Sequence, residues 1–244
     1  PRDKRLKRAA LAAPAAPNTY PLRYTHRPLT LPGGTWSVAG GVGLGGSQES
    51  EQLSLGLTAA TSYGIVDAFE LGAFVMQLQL LERVVYDRPS LYAIAEFFRG
   101  DRMSVGGKVE VTAGIQSYSP WTVAIGLPQA YYVTDFMRID LGLYIVFIMN
   151  EERLTNLHVP GELQFQLSDA IFGSLMSGLI LSNGDELVLP FGANLGYTFE
   201  RDEQPLCDLR AGFQWPLFLQ PDSSRGTDIE TFTAEVSVRC YLAH

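Results

Sequence analysis

From Thr35 onward, apolar and polar positions alternate with a period of two, the mark of strands whose two faces meet different surroundings. In TWSVAGGVGLG, Trp36, Val38, Val42 and Leu44 share one parity, and Ser37, Ala39, Gly41 and Gly43 the other. QLSLGLTAATSYG sets Leu53, Leu55, Leu57 and Ala59 against Gln52, Ser54, Gly56 and Thr58. SVGGKVEVTAGIQ and MRIDLGLYIVFIM repeat the scheme, and further alternating segments run to VSVRCYL. The pattern predicts about twelve strands of roughly ten residues, the length a tilted strand needs to cross a bilayer. The fold class is therefore all-β: a transmembrane antiparallel up-and-down β-barrel with short loops.

Two features interrupt the pattern. In FELGAFVMQLQL the apolar parity switches from Phe69, Leu71, Ala73 and Val75 to Met76, Leu78 and Leu80, which predicts a bulge near Val75–Gln77. Pro128, Pro160, Pro190 and Pro216 fall inside strands on the minority parity and predict bulges or strand ends, because proline donates no ladder bond. The run GGVGLGG (40–46) matches the G-x-G-x-x-G string of dinucleotide-binding loops. Such a loop must open a helix, and here the glycines lie inside an alternating strand, so the match is accidental.

Composition separates a membrane barrel from a soluble sandwich. The 244 residues are 46% hydrophobic and 18% charged, and Lys108 is the one lysine after residue 7. The minority face is rich in Gly, Ser and Thr, which suits a lumen better than a solvated exterior. Trp36, Tyr63, Phe69, Trp121, Tyr131, Tyr197, Phe199 and Trp215 gather toward strand ends, where membrane girdles form.

Charge is unevenly placed. The net charge of −8 argues against a nucleic-acid binder, yet residues 1–34 carry seven bases against Asp3 alone. Residues 1–34 are read as a basic Ala/Pro-rich arm led by Arg2, Lys4, Arg5, Lys7 and Arg8, and residues 35–244 as the barrel. The expectation is that residues 1–30 enter the lumen as a plug, dock on a periplasmic or membrane protein partner, or remain a disordered, solvated tail.

The segments SYGIVDAFELGA (62–73), YYVTDFMRIDLGL (131–143) and QLSDAIFGSL (166–175) share one turn form. It resembles the Y-G-I/V-T-D-x-F/L-E-L/V-G hairpin of porin-like outer-membrane β-barrel proteins of Gram-negative bacteria, particularly those of myxobacteria. The resemblance covers roughly residues 28 to 242. It implies a bacterial outer-membrane location among outer-membrane lipids, with these turns and both termini in the periplasm. The polar segments at 46–52, 82–90, 150–153, 182–186 and 220–228 would then face outside. Asp67, Asp135 and Asp169 suit the tight turns, since their carboxylates can bond nearby backbone N–H groups.

The two cysteines, Cys207 and Cys240, are equidistant from the centre of the last hairpin and share the apolar parity. They can form a disulfide or remain two apolar thiols. Parity places Glu70, Glu96, Glu110, Asp140, Glu162, Asp208 and Glu235 inward with Lys108, Arg138, Arg210 and Arg239, a surplus of three acids. These groups form either an internal salt-bridge network or the selectivity element of a narrow pore. No G-x-S-x-G, H-E-x-x-H or Walker A motif is present, and His26, His158 and His244 are scattered, so neither catalysis nor a metal or cofactor is expected. The sequence thus predicts a narrow channel for small polar or cationic solutes, or a non-conducting structural subunit of a larger envelope complex engaged through its arm.

Overall fold

The computed structural model describes residues 20–47, 52–80, 84–86, 89–115, 120–149, 154–184, 186–220, 226–227 and 231–243. The long strands are β1 (Thr35–Ser47), β2 (Gln52–Val66), β3 (Phe69–Leu80), β5 (Ser90–Arg99), β6 (Met103–Thr112), β7 (Trp121–Thr134), β8 (Met137–Met149), β9 (Thr155–Gln166), β10 (Ile171–Ser182), β11 (Glu186–Arg201), β12 (Gln204–Gln220) and β14 (Thr231–Ala243). Two short pieces, β4 (Val84–Tyr86) on β3 and β13 (Gly226–Thr227) on β12, add to the sheet. Each long strand pairs antiparallel with its chain neighbours, and β14 pairs with β1. The result is a closed barrel of twelve long strands, none of which is left as an edge strand among the described residues.

The distribution of side chains is inverted relative to a soluble protein. Val38, Leu53, Leu91, Ile125, Leu143, Leu195 and Val236 stand exposed on the outside, while Arg27, Glu70, Glu96, Arg138 and Asp208 are buried. Aqueous solvent would penalise that exterior and lipid would not. Aromatic clusters mark both rims: Trp36 with Tyr63 at 4.6 Å at one end, and Phe213 with Trp215 at 4.6 Å at the other.

The bulge in β3 is at Val75, because Ala59 pairs with Met76 and Ala60 with Phe74. Pro190 and Pro216 lie in a second irregularity, where the β11–β12 register jumps between Leu189/Leu219 and Phe191/Trp215. Pro128 and Pro160 depart from expectation. Neither causes a bulge: Pro128 stays in register with Gly142 and Pro160 with Gly178. The missing donors instead face their other neighbours, where the β6–β7 and β8–β9 pairings lapse for two residues and resume in the same register.

Short connections at 67–68, 100–102, 135–136, 167–170 and 202–203 define one end of the barrel, where β1 begins and β14 finishes. Asp202 and Glu203 both take positive φ, 55° and 61°, as a two-residue hairpin turn requires. This is called the turn end below, and the opposite one the loop end.

Candidate functional site

Residues 20–34 do not hang from the barrel. They enter the lumen at the turn end, with a short 3-10 helix over Tyr24–His26, and Thr25, Arg27, Thr30 and Leu31 are each no more than 3% exposed. Gly34, at φ +80°, makes the corner into β1, and its N–H donates to Gly64 O at 2.7 Å. The approach is so close that a Cβ on Gly64 would lie 2.2 Å from Pro32 O.

Arg27 is the centre of the seat. Its guanidinium forms a two-pronged ion pair with Asp208, donates to Tyr241 Oη at 3.0 Å, and lies over the rings of Tyr20, Tyr24 and Tyr241. Thr198 and Tyr241 hydroxyls donate to the same carboxylate at 2.8 and 2.5 Å. The Arg27 carbonyl in turn accepts from Arg138 and from Tyr132. Burial opposes the charge of Arg27, but Tyr241, Tyr20 and Asp208 outweigh it and hold its pKa above the ordinary value. Burial also raises the Tyr20 phenol, against the pull of Arg27. Breaking one side of such a buried pair costs about 3–5 kcal/mol.

Tyr24 stacks on Phe172 at 4.2 Å, beneath the guanidinium of Arg210. Gly196 makes room for Phe172, whose ring a Cβ there would meet at 2.2 Å.

The turn aspartates serve this segment more than their own turns. Asp67 Oδ1 accepts from the Gly33 N–H at 2.9 Å, and Asp169 Oδ1 accepts from Arg23 at 2.7 Å. The Asp135 carbonyl accepts from Thr25 and contacts His26 Nε2 at 2.9 Å. This corrects the expectation that their carboxylates cap local backbone. In the turns themselves, the hydroxyls of Thr134 and Ser168 accept from the N–H groups of Phe136 and Ile171.

All but one of the charged residues singled out by parity are paired. Lys108 meets Glu110 at 2.7 Å, Arg138 meets Asp140 at 2.5 Å, Arg210 meets Glu162 at 3.2 Å and Arg239 meets Glu70 at 3.8 Å. Glu70 also accepts from the Leu31 N–H and from Tyr92. Two bases that parity overlooked complete the set: Arg99 binds Glu96, and Arg27 binds Asp208. Glu235 stands without an ion pair among the described residues. Six bases against seven acids leave one formal negative charge rather than three.

Cys207 and Cys240 are directly opposite in the register and form a disulfide. Arg2, Lys4, Arg5, Lys7, Arg8 and His244 lie outside the described residues. The sequence signal for the seated segment was TYPLRYTHRPLT, where Tyr20 and Tyr24, and Arg23 and Arg27, repeat at four-residue spacing.

Between this seat and the loop end lies a cavity of about 620 Å³, floored by Leu29 of the seated segment. A smaller cavity of about 310 Å³ lies among Tyr24, Arg27, Tyr92 and Arg239.

No protein-family profile and no curated protein matches the chain. Among solved structures it is similar to the NanC porin, at a TM-score of 0.62 and 9% identity over 85% of this chain and 100% of that one. The KdgM porin in complex with disordered oligogalacturonate aligns at 0.60 and 11% identity over 84% and 98%. An outer-membrane channel from Pseudomonas putida F1 aligns at 0.57 and 10% over 87% and 97%. The fold is that of the outer-membrane porins. At such identities the likeness extends to fold alone.

Proposed function

We propose that this protein is a bacterial outer-membrane channel for small polar solutes, closed at its turn end by residues 20–34 and opened when that segment leaves. The observation that carries this is the lumen itself: a cavity of about 620 Å³ on one side of the segment and tight turns on the other. Porins and a channel sharing the fold support the reading. On this reading the turn end and both termini face the periplasm. One-to-one pairing of the lumen charges favours weak cation selectivity over strong, because Glu235 is the unpaired excess among the parity-assigned groups in the described residues.

The test is single-channel conductance in planar bilayers. The full chain is compared with a variant whose segment is loosened by Arg27→Ala together with Asp208→Asn, which avoids leaving a buried carboxylate unpaired. Brief, rare openings in the full chain and long ones in the variant are expected. Silence from both, with folding shown by heat-modifiable gel mobility, would leave the non-conducting envelope component instead.

A further inference from the structure

The lumen toward the loop end has two unlike walls, and the cavity lies against one of them. On the side of β14, β1 and β2, the inward positions are Ser237, Glu235, Gly41, Gly43, Thr58 and Ser54, small or polar throughout. On the side of β7 to β11 apolar side chains prevail up to the level of Ala124 and Val146, where the row turns polar at Asn156 and Ser182. One row of the register runs Tyr144, His158, Ile180, Val188 across β8 to β11. The row above pairs Ala124 with Val146, and the level below holds Pro128 and Pro160 around Gly142. A water-filled passage does not need such a wall, since inward apolar surface is costly to hydrate. Parity had assigned the whole minority face as small and polar; on this side the assignment fails.

Polar groups on the wall are few and placed as a band. The Tyr144 ring lies against the barrel in a slot left by two glycines, for a Cβ on Gly126 or Gly142 would meet it at 2.0 or 2.2 Å. Neither its hydroxyl nor the His158 ring has a hydrogen-bond partner among the described residues, and both line the cavity. The charges lining it, Lys108, Glu110, Asp140 and Glu162, are all ion-paired: Lys108 with Glu110, Asp140 with Arg138 and Glu162 with Arg210. An apolar wall with a few convergent polar groups and balanced charge, in a volume of this order, is the form of a small-molecule site.

We propose that this wall binds an uncharged amphipathic molecule, a compact ring-bearing or branched hydrocarbon carrying a hydroxyl or carbonyl group. Its apolar body packs on Ile180, Val146 and Pro160, and its polar group bonds Tyr144 and His158. The inference goes beyond the channel reading, since the site binds an amphipathic ligand whether or not small polar solutes pass.

The experiment is equilibrium dialysis of 1-naphthol against the full chain in detergent micelles, with protein-free micelles at matched concentration subtracted. Naphthalene-1-sulfonate is the charged control and glucose the polar one. The expected result is saturable binding of one 1-naphthol per chain, at least about tenfold tighter than either control. Ile180→Thr, and independently Val146→Thr, keep a β-branched strand residue and should each weaken binding about tenfold while heat-modifiable mobility is retained. Uptake that scales with micelle content alone, equal binding of the sulfonate, or indifference to both substitutions would overturn the site. Saturable naphthol binding by a chain that never conducts would overturn passage and leave the site standing; conduction without it would do the reverse.

Discussion

The two halves of the lumen solve opposite problems with the same β-barrel. At the turn end the interior is filled: Arg27, Thr25, Thr30 and Leu31 occupy it, and each charge has a partner at hydrogen-bonding distance or close to it. At the loop end the interior is left open, with a cavity against the largely apolar β7–β11 side and small or polar inward positions on β14, β1 and β2. A barrel of twelve strands is wider than the eight-stranded kind that side chains fill by themselves, so closing one half takes an extra piece of chain. The difference shows that the barrel wall fixes the bore, while the filling of its turn-end half depends on a segment outside any strand.

Several changes would break or sharpen that contrast. The largest effect is expected from Arg27→Ala alone, which strands the Asp208 carboxylate among Thr198 and Tyr241. Loss of about 3–5 kcal/mol in seating should appear as trypsin cleavage after Arg23 in the folded barrel, with Asp208→Asn restoring part of the protection. Opening the Cys207–Cys240 bridge, whose ends are 33 residues apart, should lower the heat-modification midpoint by the equivalent of about 3–4 kcal/mol of loop entropy. Serine at both positions should lower it by as much as reductant does, and reductant should then add nothing. Gly64→Ala places a methyl against Pro32 and should loosen the segment by about 1–3 kcal/mol, raising open probability without altering any lumen charge. The smallest effect is Glu235→Gln, which should shift the reversal potential slightly toward anions and leave seating unchanged.

Most of the barrel was legible in the sequence, and the reason is geometric. A strand that separates two environments must alternate, so parity finds the strands, and a break in parity located the bulge at Val75. The same arithmetic set Cys207 opposite Cys240. Residues 20–34 were not legible in this way, because a segment without regular structure has no period to read. Arg27 and Arg99 were missed for that reason and for another: the bulge at Phe97 returns Arg99 to the inward face. The apolar wall escaped because YIVFIM is apolar on both parities, so the lipid-facing set of Ile145 and Phe147 concealed the inward Val146. Pro128 and Pro160 interrupt pairing on one side only, without a bulge, and they also line the cavity.

The corner at Gly34 has a last consequence. Because it joins the segment covalently to β1, a released segment stays within a few nanometres of its seat, at an effective concentration on the order of millimolar. On the proposed gating, closure is a first-order event, independent of how many barrels the membrane holds. Any soluble competitor for Asp208 must outbid a neighbour that never diffuses away.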